Sequence, residues 1–307
     1  MTNAILLSLA GLIGLALGGE LLVRGAVGIA QKLGVSTLFT GLVIVGFATS
    51  MPEMVASVEA ALQGSPAIAW GNVVGSNLAN TLMILGVSAL VMPIALTGAG
   101  RRDAVVALVA TLALWGLAVS GLGARWIGFA LLAGIVAFIV WRYLYPAAAA
   151  VEEPGSDAQV NPWIAGVQFL AGLGILIAGG QALVTGAIEL ATIFKVPETV
   201  IGLTVVAVGT SLPELAASIA AALRGKSGLA LGNVVGSNIY NILLIGGATM
   251  SLAPQPLPGD LAGTQMILLT ASALVVLALV WFAKSIGRLV GAALVTVFAA
   301  NVILVFA

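Results

Sequence analysis

The sequence predicts an all-α polytopic membrane protein: ten transmembrane helices in two inverted five-helix repeats, with the N- and C-termini outside. Three observations predict it. Of the 307 residues, 61% are hydrophobic and only 7% are charged, whereas about a quarter of a soluble chain is charged. The apolar residues fall into successive runs of about 20, the length that crosses a bilayer. The second half of the chain also repeats the first after five such runs, an odd number that forces opposite entry into the membrane. Cysteine and histidine are absent, which excludes disulfides, zinc centres and imidazole proton relays. A formal net charge of zero leaves no basic field for nucleic acid. The first apolar run starts next to Met1 without a basic leader and is too long for a signal peptide, so the first helix is expected in the mature protein.

Cutting the chain at charges and at Gly/Pro turns places spans at roughly 3–31, 37–62, 68–93, 103–120 and 125–145, then 162–192, 198–223, 229–252, 264–282 and 286–306. The first carries Glu20 and Arg24 one turn apart, a pairing that explains both charges. The second and seventh carry Pro52 and Pro213, which remove the N–H that would bond the carbonyls of Ala48 and Gly209; both helices should break there. The third and eighth carry the amide-rich runs Gly71–Asn80 and Gly232–Asn241. Trp70, Trp126, Trp163 and Trp281 stand near span ends, where indoles anchor at the interface. Loops are short except between Pro146 and Pro162, where Glu152, Glu153 and Asp157 collect among Pro, Gly and Ser. This divides the chain into a first repeat over 1–145 (helices 1–5), a cytoplasmic linker over 146–161 and a second repeat over 162–307 (helices 6–10).

With ten spans and the N-terminus outside, Lys32, Arg101, Arg102, Arg142, Arg224, Lys226, Lys284 and Arg288 fall in or beside cytoplasmic loops, and Arg24 lies near that end. Only Arg125 and Lys195 fall outside, the asymmetry that the positive-inside rule requires. Sliding the sequence by the spacing from Glu53 to Glu214 superposes Gly18-Gly19 on Gly179-Gly180, Gly41-Leu42 on Gly202-Leu203 and Asn80 on Asn241 without a gap.

The repeats centre on Gly46-Phe-Ala-Thr-Ser-Met-Pro-Glu53 with Gly71–Asn80, and Ala207-Val-Gly-Thr-Ser-Leu-Pro-Glu214 with Gly232–Asn241. Thr49 and Ser50 lie four and three residues before Glu53, so on a helix the hydroxyls and the carboxylate share one face; Thr210, Ser211 and Glu214 repeat the set. Asn72, Ser76 and Asn80 recur every fourth residue as a polar stripe that can face this cluster, as do Asn233, Ser237 and Asn241. Carboxylate, hydroxyl, amide and freed carbonyl oxygens suit hard cations, Ca²⁺ above all, and offer soft metals nothing. The same oxygens can hold Na⁺ or take protons, and competing occupants of one site make an exchanger. The bland reading is that the prolines only kink helices and the glycines and serines only let helices approach. Two matched buried glutamates weigh against it, because hydrocarbon penalises each of them heavily. Glu59 and Glu189 lack acidic counterparts and are placed towards an interface, while Asn77 and Asn238 lie off the stripe and are expected to bridge helices.

These paired motifs, each ending in G-N-V-V-G-S-N, resemble the alpha-repeats of the cation/Ca²⁺ exchanger superfamily, specifically its prokaryotic Na⁺/Ca²⁺ exchanger branch. The resemblance implies no enzyme and no cofactor, but a multi-pass antiporter of the plasma (cell inner) membrane with Ca²⁺ and Na⁺ as substrates. It implies a Ca²⁺ site formed by Glu53, Glu214 and the backbone of Thr49 and Thr210. Flanking Na⁺ sites would use Ser50, Ser211, Ser76, Ser237 and the carbonyls of Gly46 and Ala207, with Asn80 and Asn241 at the centre. It also implies that the long first and sixth helices slide across the rest to alternate access. Asparagine at both centres disfavours K⁺ co-transport, which goes with an acid there, and the Thr-Ser pairs favour Na⁺ over the H⁺/Ca²⁺ branch. H⁺/Ca²⁺ antiport is the alternative reading, ahead of K⁺-dependent exchange. A passive cation channel has no ring of identical subunits or open pore to support it.

Overall fold

A computed structural model describes residues 1–32, 50–96, 100–145, 161–223, 225 and 227–306. The helices are α1 (Thr2–Lys32), α2 (Met51–Leu62), α3 (Pro66–Val91), α4 (Arg101–Ser120), α5 (Arg125–Leu144) and α6 (Pro162–Phe194). They continue as α7 (Glu198–Thr210), α8 (Leu212–Leu223), α9 (Ser227–Leu252), α10 (Thr264–Phe282) and α11 (Arg288–Phe306). Among the described residues eight helices are long and apolar enough to cross a membrane, or nine when α7 and α8, bent by 44° at their junction, count as one span. The expected second span falls partly on 37–49, outside the described residues, as does the linker from 146 to 160.

Local chemistry sets the ends. Asn161 caps α6 by accepting from Trp163 N at 3.0 Å, with Pro162 at the first helical position. Gly64, Gly100 and Gly121 take positive φ after α2, before α4 and after α4. The all-α expectation needs one correction. Strand β1 (Ile94–Ala95) pairs antiparallel with β2 (Ser285–Ile286), because Met92 turns extended and Ile286 is used in the ladder, so α3 stops at Val91 and α11 starts only at Arg288. Ser227 Oγ accepts from Ala95 N at 3.0 Å, and Arg288 donates to Leu90 O at 3.1 Å, fastening the same end. The Arg142–Asp103 ion pair at 3.1 Å and Arg101 stacked over Trp281 gather further basic residues there.

α1 and α6 pack antiparallel along their length on small residues seven apart: Ala4, Gly11, Gly18 and Gly25 against Ala165, Gly172, Gly179 and Gly186. A Cβ on Gly11 would lie 2.4 Å from Leu183 N, and one on Gly172 2.5 Å from Leu22 N. Only glycine admits so close an approach of two backbones. α3 and α9 are the enclosed spans, with 83% and 61% of their most apolar stretch buried against 17% for α11. Trp70 corrects another expectation. It is fully buried inside α3, against Gly246, rather than anchored at an interface, whereas Trp126 and Trp163 are exposed.

Candidate cation site

The seventh span breaks at Ser211, two residues ahead of Pro213, because proline fits the first turn of a new helix and cannot continue an old one. Ser50 precedes Met51-Pro52-Glu53 in the same way at the start of α2. Both glutamates therefore stand in the first turn of a helix, where exposed N–H groups favour negative charge. Both are 2% exposed.

α3 lies against α7 closely enough that a Cβ on Gly71 would come 2.8 Å from Thr199 O, and one on Gly75 2.5 Å from Leu203 O. The glycines of the amide run thus do serve close helix approach, and that approach lays Asn72 and Ser76 beside the end of α7. Asn72 Nδ2 donates to Glu53 O at 3.1 Å and to Ser57 Oγ at 2.8 Å. Its Oδ1 accepts from Ser76 Oγ and from Thr210 Oγ1, each at 3.3 Å. The second motif repeats the core of this clamp: Asn233 Nδ2 donates to Glu214 O at 3.2 Å and to Ser218 Oγ at 2.8 Å. Ser211 Oγ crosses between motifs to donate to Glu53 Oε1 at 3.0 Å.

Ser57 and Ser218 were not among the residues singled out from sequence, although each lies four residues after its glutamate and both repeats carry serine there. The π-helical turns Ala79–Ile84 and Tyr240–Ile245, which hold Asn80 and Asn241 as their second residues, also carried no signal, nor did a third at Gly202–Val206. Such turns recur at functional sites because the wider turn redirects side chains and carbonyls. Ser50, Ser76, Ser211, Ser237, Thr210, Asn80, Asn241 and Ala207 are all buried. Ala207 O already accepts from Ser211 N at 3.1 Å. Thr49 and Gly46 lie outside the described residues.

The donor set fits a hard cation. Ser50 Oγ, Glu53 Oε2, Glu214 Oε2 and Asn80 Oδ1 are buried oxygens with no hydrogen-bond partner among the described residues. Leaving such acceptors unsatisfied costs about 1–3 kcal/mol each, and more when charged; a cation relieves several at once. Among the described residues no group of three or more His, Cys, Asp or Glu that could hold a metal ion exists. The other charged groups stand apart: Glu20 pairs with exposed Arg24 at 2.6 Å, and Glu59 accepts from Gln63 at 2.9 Å. Asn238 does bridge helices, to Thr81, but Asn77 bonds back to Val73 O within α3.

Three kinds of known protein resemble this chain. The family model described as sodium/calcium exchanger protein matches residues 3–144 and 164–307. A putative antiporter CaxA of Alkalimonas amylolytica is 38% identical over 286 residues, covering 90% of this chain and 89% of that protein. The sodium/calcium exchanger MaX1 of Methanosarcina acetivorans is 32% identical over 287 residues, 80% of this chain and 82% of its own. A solved structure of the sodium-calcium exchanger NCX_Mj, soaked with Na⁺ and Sr²⁺, superposes with a TM-score of 0.68 at 29% identity, covering 98% of each chain.

Proposed function

The chain belongs to the sodium/calcium exchanger protein family, in the prokaryotic branch of the cation/Ca²⁺ exchanger superfamily, and from that premise we propose that it exchanges Na⁺ for Ca²⁺ by alternating access at the two-glutamate site. It is a multi-pass membrane transporter, not an enzyme. The observation that carries the finer reading is the pair of buried glutamates, each held at its backbone by an asparagine and each with an unpartnered carboxylate oxygen, linked across the motifs by the hydrogen bond from Ser211 to Glu53.

Glu53 and Glu214 neutralise one Ca²⁺ between them, with the backbone of Thr49 and Thr210 beside it. Ser50, Ser76, Ser211, Ser237, Asn80, Asn241 and the carbonyls of Gly46 and Ala207 serve Na⁺. The hydrogen bond from Ser211 to Glu53 supports a shared site, since a serine assigned to Na⁺ touches a carboxylate assigned to Ca²⁺. Two ions competing for overlapping oxygens is what couples their movements. In the whole-chain arrangement, residues 1–145 and 162–307 form inverted halves of five spans each, with both termini outside the plasma membrane and the linker 146–161 inside. α1 and α6, zipped through their glycines, move together across the remaining helices. Uptake of ⁴⁵Ca²⁺ into proteoliposomes under an imposed Na⁺, H⁺ or K⁺ gradient tests the coupling. Na⁺ alone should drive uptake; uptake that follows only a proton gradient assigns the chain to H⁺/Ca²⁺ antiport instead.

A further inference from the structure

Asn238 Nδ2 donates to Thr81 Oγ1 at 2.7 Å, joining α9 to α3. Both side chains are buried. The repeat spacing makes Asn77 and Ile242 the counterparts of Asn238 and Thr81, and Ile242 has no hydroxyl to accept. Asn77 accordingly turns its amide to Val73 O at 2.7 Å, inside its own helix. The bond between α3 and α9 therefore exists on one side of the repeat only.

Its position gives it a use. Thr81 follows Asn80 inside the π-helical turn of α3, and Asn238 follows Ser237 just before the π-helical turn of α9. A π-turn is a single-turn departure from α-helical hydrogen bonding of the kind that recurs at functional sites. A side-chain bridge one residue away then decides where the adjacent ligand rests. The bridge borders a small cavity lined by Thr81, Thr111, Val234, Val235 and Asn238 among others.

We propose that Asn238 and Thr81 are a positioning pair for the cation site: their bond holds Asn80 of one repeat and Ser237 of the other at a fixed separation, and the counterpart pair, Asn77 and Ile242, makes no such bond. This rests on the reading of Asn80 and Ser237 as cation ligands. Neither residue of the pair touches the ion.

The test is cation-dependent thermal protection of the detergent-solubilised full chain, titrated separately with CaCl₂ and NaCl against a choline chloride control. A ligand that binds only the folded state raises the unfolding temperature in proportion to its occupancy. Thr81→Val keeps the shape and removes the acceptor; Thr81→Ser keeps the acceptor. The valine variant should need roughly twofold to tenfold more of at least one cation for half-maximal protection, the range set by one neutral hydrogen bond, while the serine variant matches wild type. Thr81→Ala, which also removes the acceptor but adds no bulk beside the cavity, carries the same expectation should valine misfold. A valine or alanine variant with a lower unfolding temperature but wild-type half-protection by both cations reduces the pair to a structural contact and overturns the proposal. Wild-type protein that neither cation protects overturns the pair and the site together. Failure of Na⁺-driven flux in protein that the cations do protect counts against the exchange reading alone.

Discussion

Asn72 and Asn233 each hold a glutamate by its backbone, donating to the carbonyl of Glu53 or Glu214 and to a serine one turn further along the same helix. Those bonds spend no carboxylate oxygen, and although Glu53 Oε1 accepts from Ser211, Glu53 Oε2 and Glu214 Oε2 have no partner among the described residues. Glu53→Gln and Glu214→Gln preserve shape but remove a charge that Ca²⁺ requires; each single variant is expected to lose ⁴⁵Ca²⁺ uptake. Near-normal uptake by Glu214→Gln would take that residue out of the site. Asn72→Leu strands the Glu53 carbonyl and Ser57, a loss of about 1–3 kcal/mol for a buried unpaired group, and should lower the unfolding midpoint in detergent as well as Ca²⁺ protection. An unchanged midpoint would show that the clamp holds nothing. The glutamates, hydroxyls and amides were legible in sequence because polar groups in an apolar run need a reason. Ser57 and Ser218 lie on the same helical face four residues after each glutamate, but a serine in a helix is too common to signal a partner for Asn72 or Asn233. Trp70 was misread because nearness to a span end says nothing about what surrounds the span, and α3 is enclosed on most sides.

At the scale of the elements, Pro213 marked the break in the seventh span: α7 ends at Thr210 and α8 begins at Leu212, with Pro213 inside its first turn, while residues 33–49, ahead of Ser50, lie outside the described residues. The π-turns in α3, α7 and α9 had no sequence signature, since they arise from how neighbouring helices pack rather than from any residue type. The seven-residue small-residue spacing of α1 and α6 was present in the sequence, yet only the partner helix turns it into a contact. Gly11→Ala places a methyl 2.4 Å from Leu183 N and should cost about 1–3 kcal/mol as overpacking. Gly174→Ala meets nothing within 4 Å among the described residues and should be neutral or slightly stabilising, by up to about 1 kcal/mol of helix propensity. Thermal unfolding of the two variants side by side checks this; equal midpoints would mean the glycines are not a packing surface.

For the whole molecule, the basic residues Arg101, Arg142 and Arg288 are drawn to one end of the bundle by Trp281, Asp103 and Leu90 O, the clustering that the positive-inside rule assigns to the cytoplasm. If that end faces the cytoplasm, as proposed, the orientation sets the direction in which a membrane potential acts. On the proposed site, with Glu53 and Glu214 as the ionised pair and asparagine rather than an acid at 80 and 241, the Ca²⁺-loaded form would be neutral. More than two Na⁺ per Ca²⁺ would leave the Na⁺-loaded site positive, and each elementary charge experiences about 2.3 kcal/mol per 100 mV. The central claim is therefore tested most directly by Na⁺-driven ⁴⁵Ca²⁺ flux in proteoliposomes whose voltage is clamped with K⁺ and valinomycin. The account predicts flux that requires the Na⁺ gradient and changes in rate and endpoint with voltage, a cytoplasm-negative potential favouring Na⁺ entry and Ca²⁺ extrusion. Flux that ignores both Na⁺ and voltage and follows pH would contradict it.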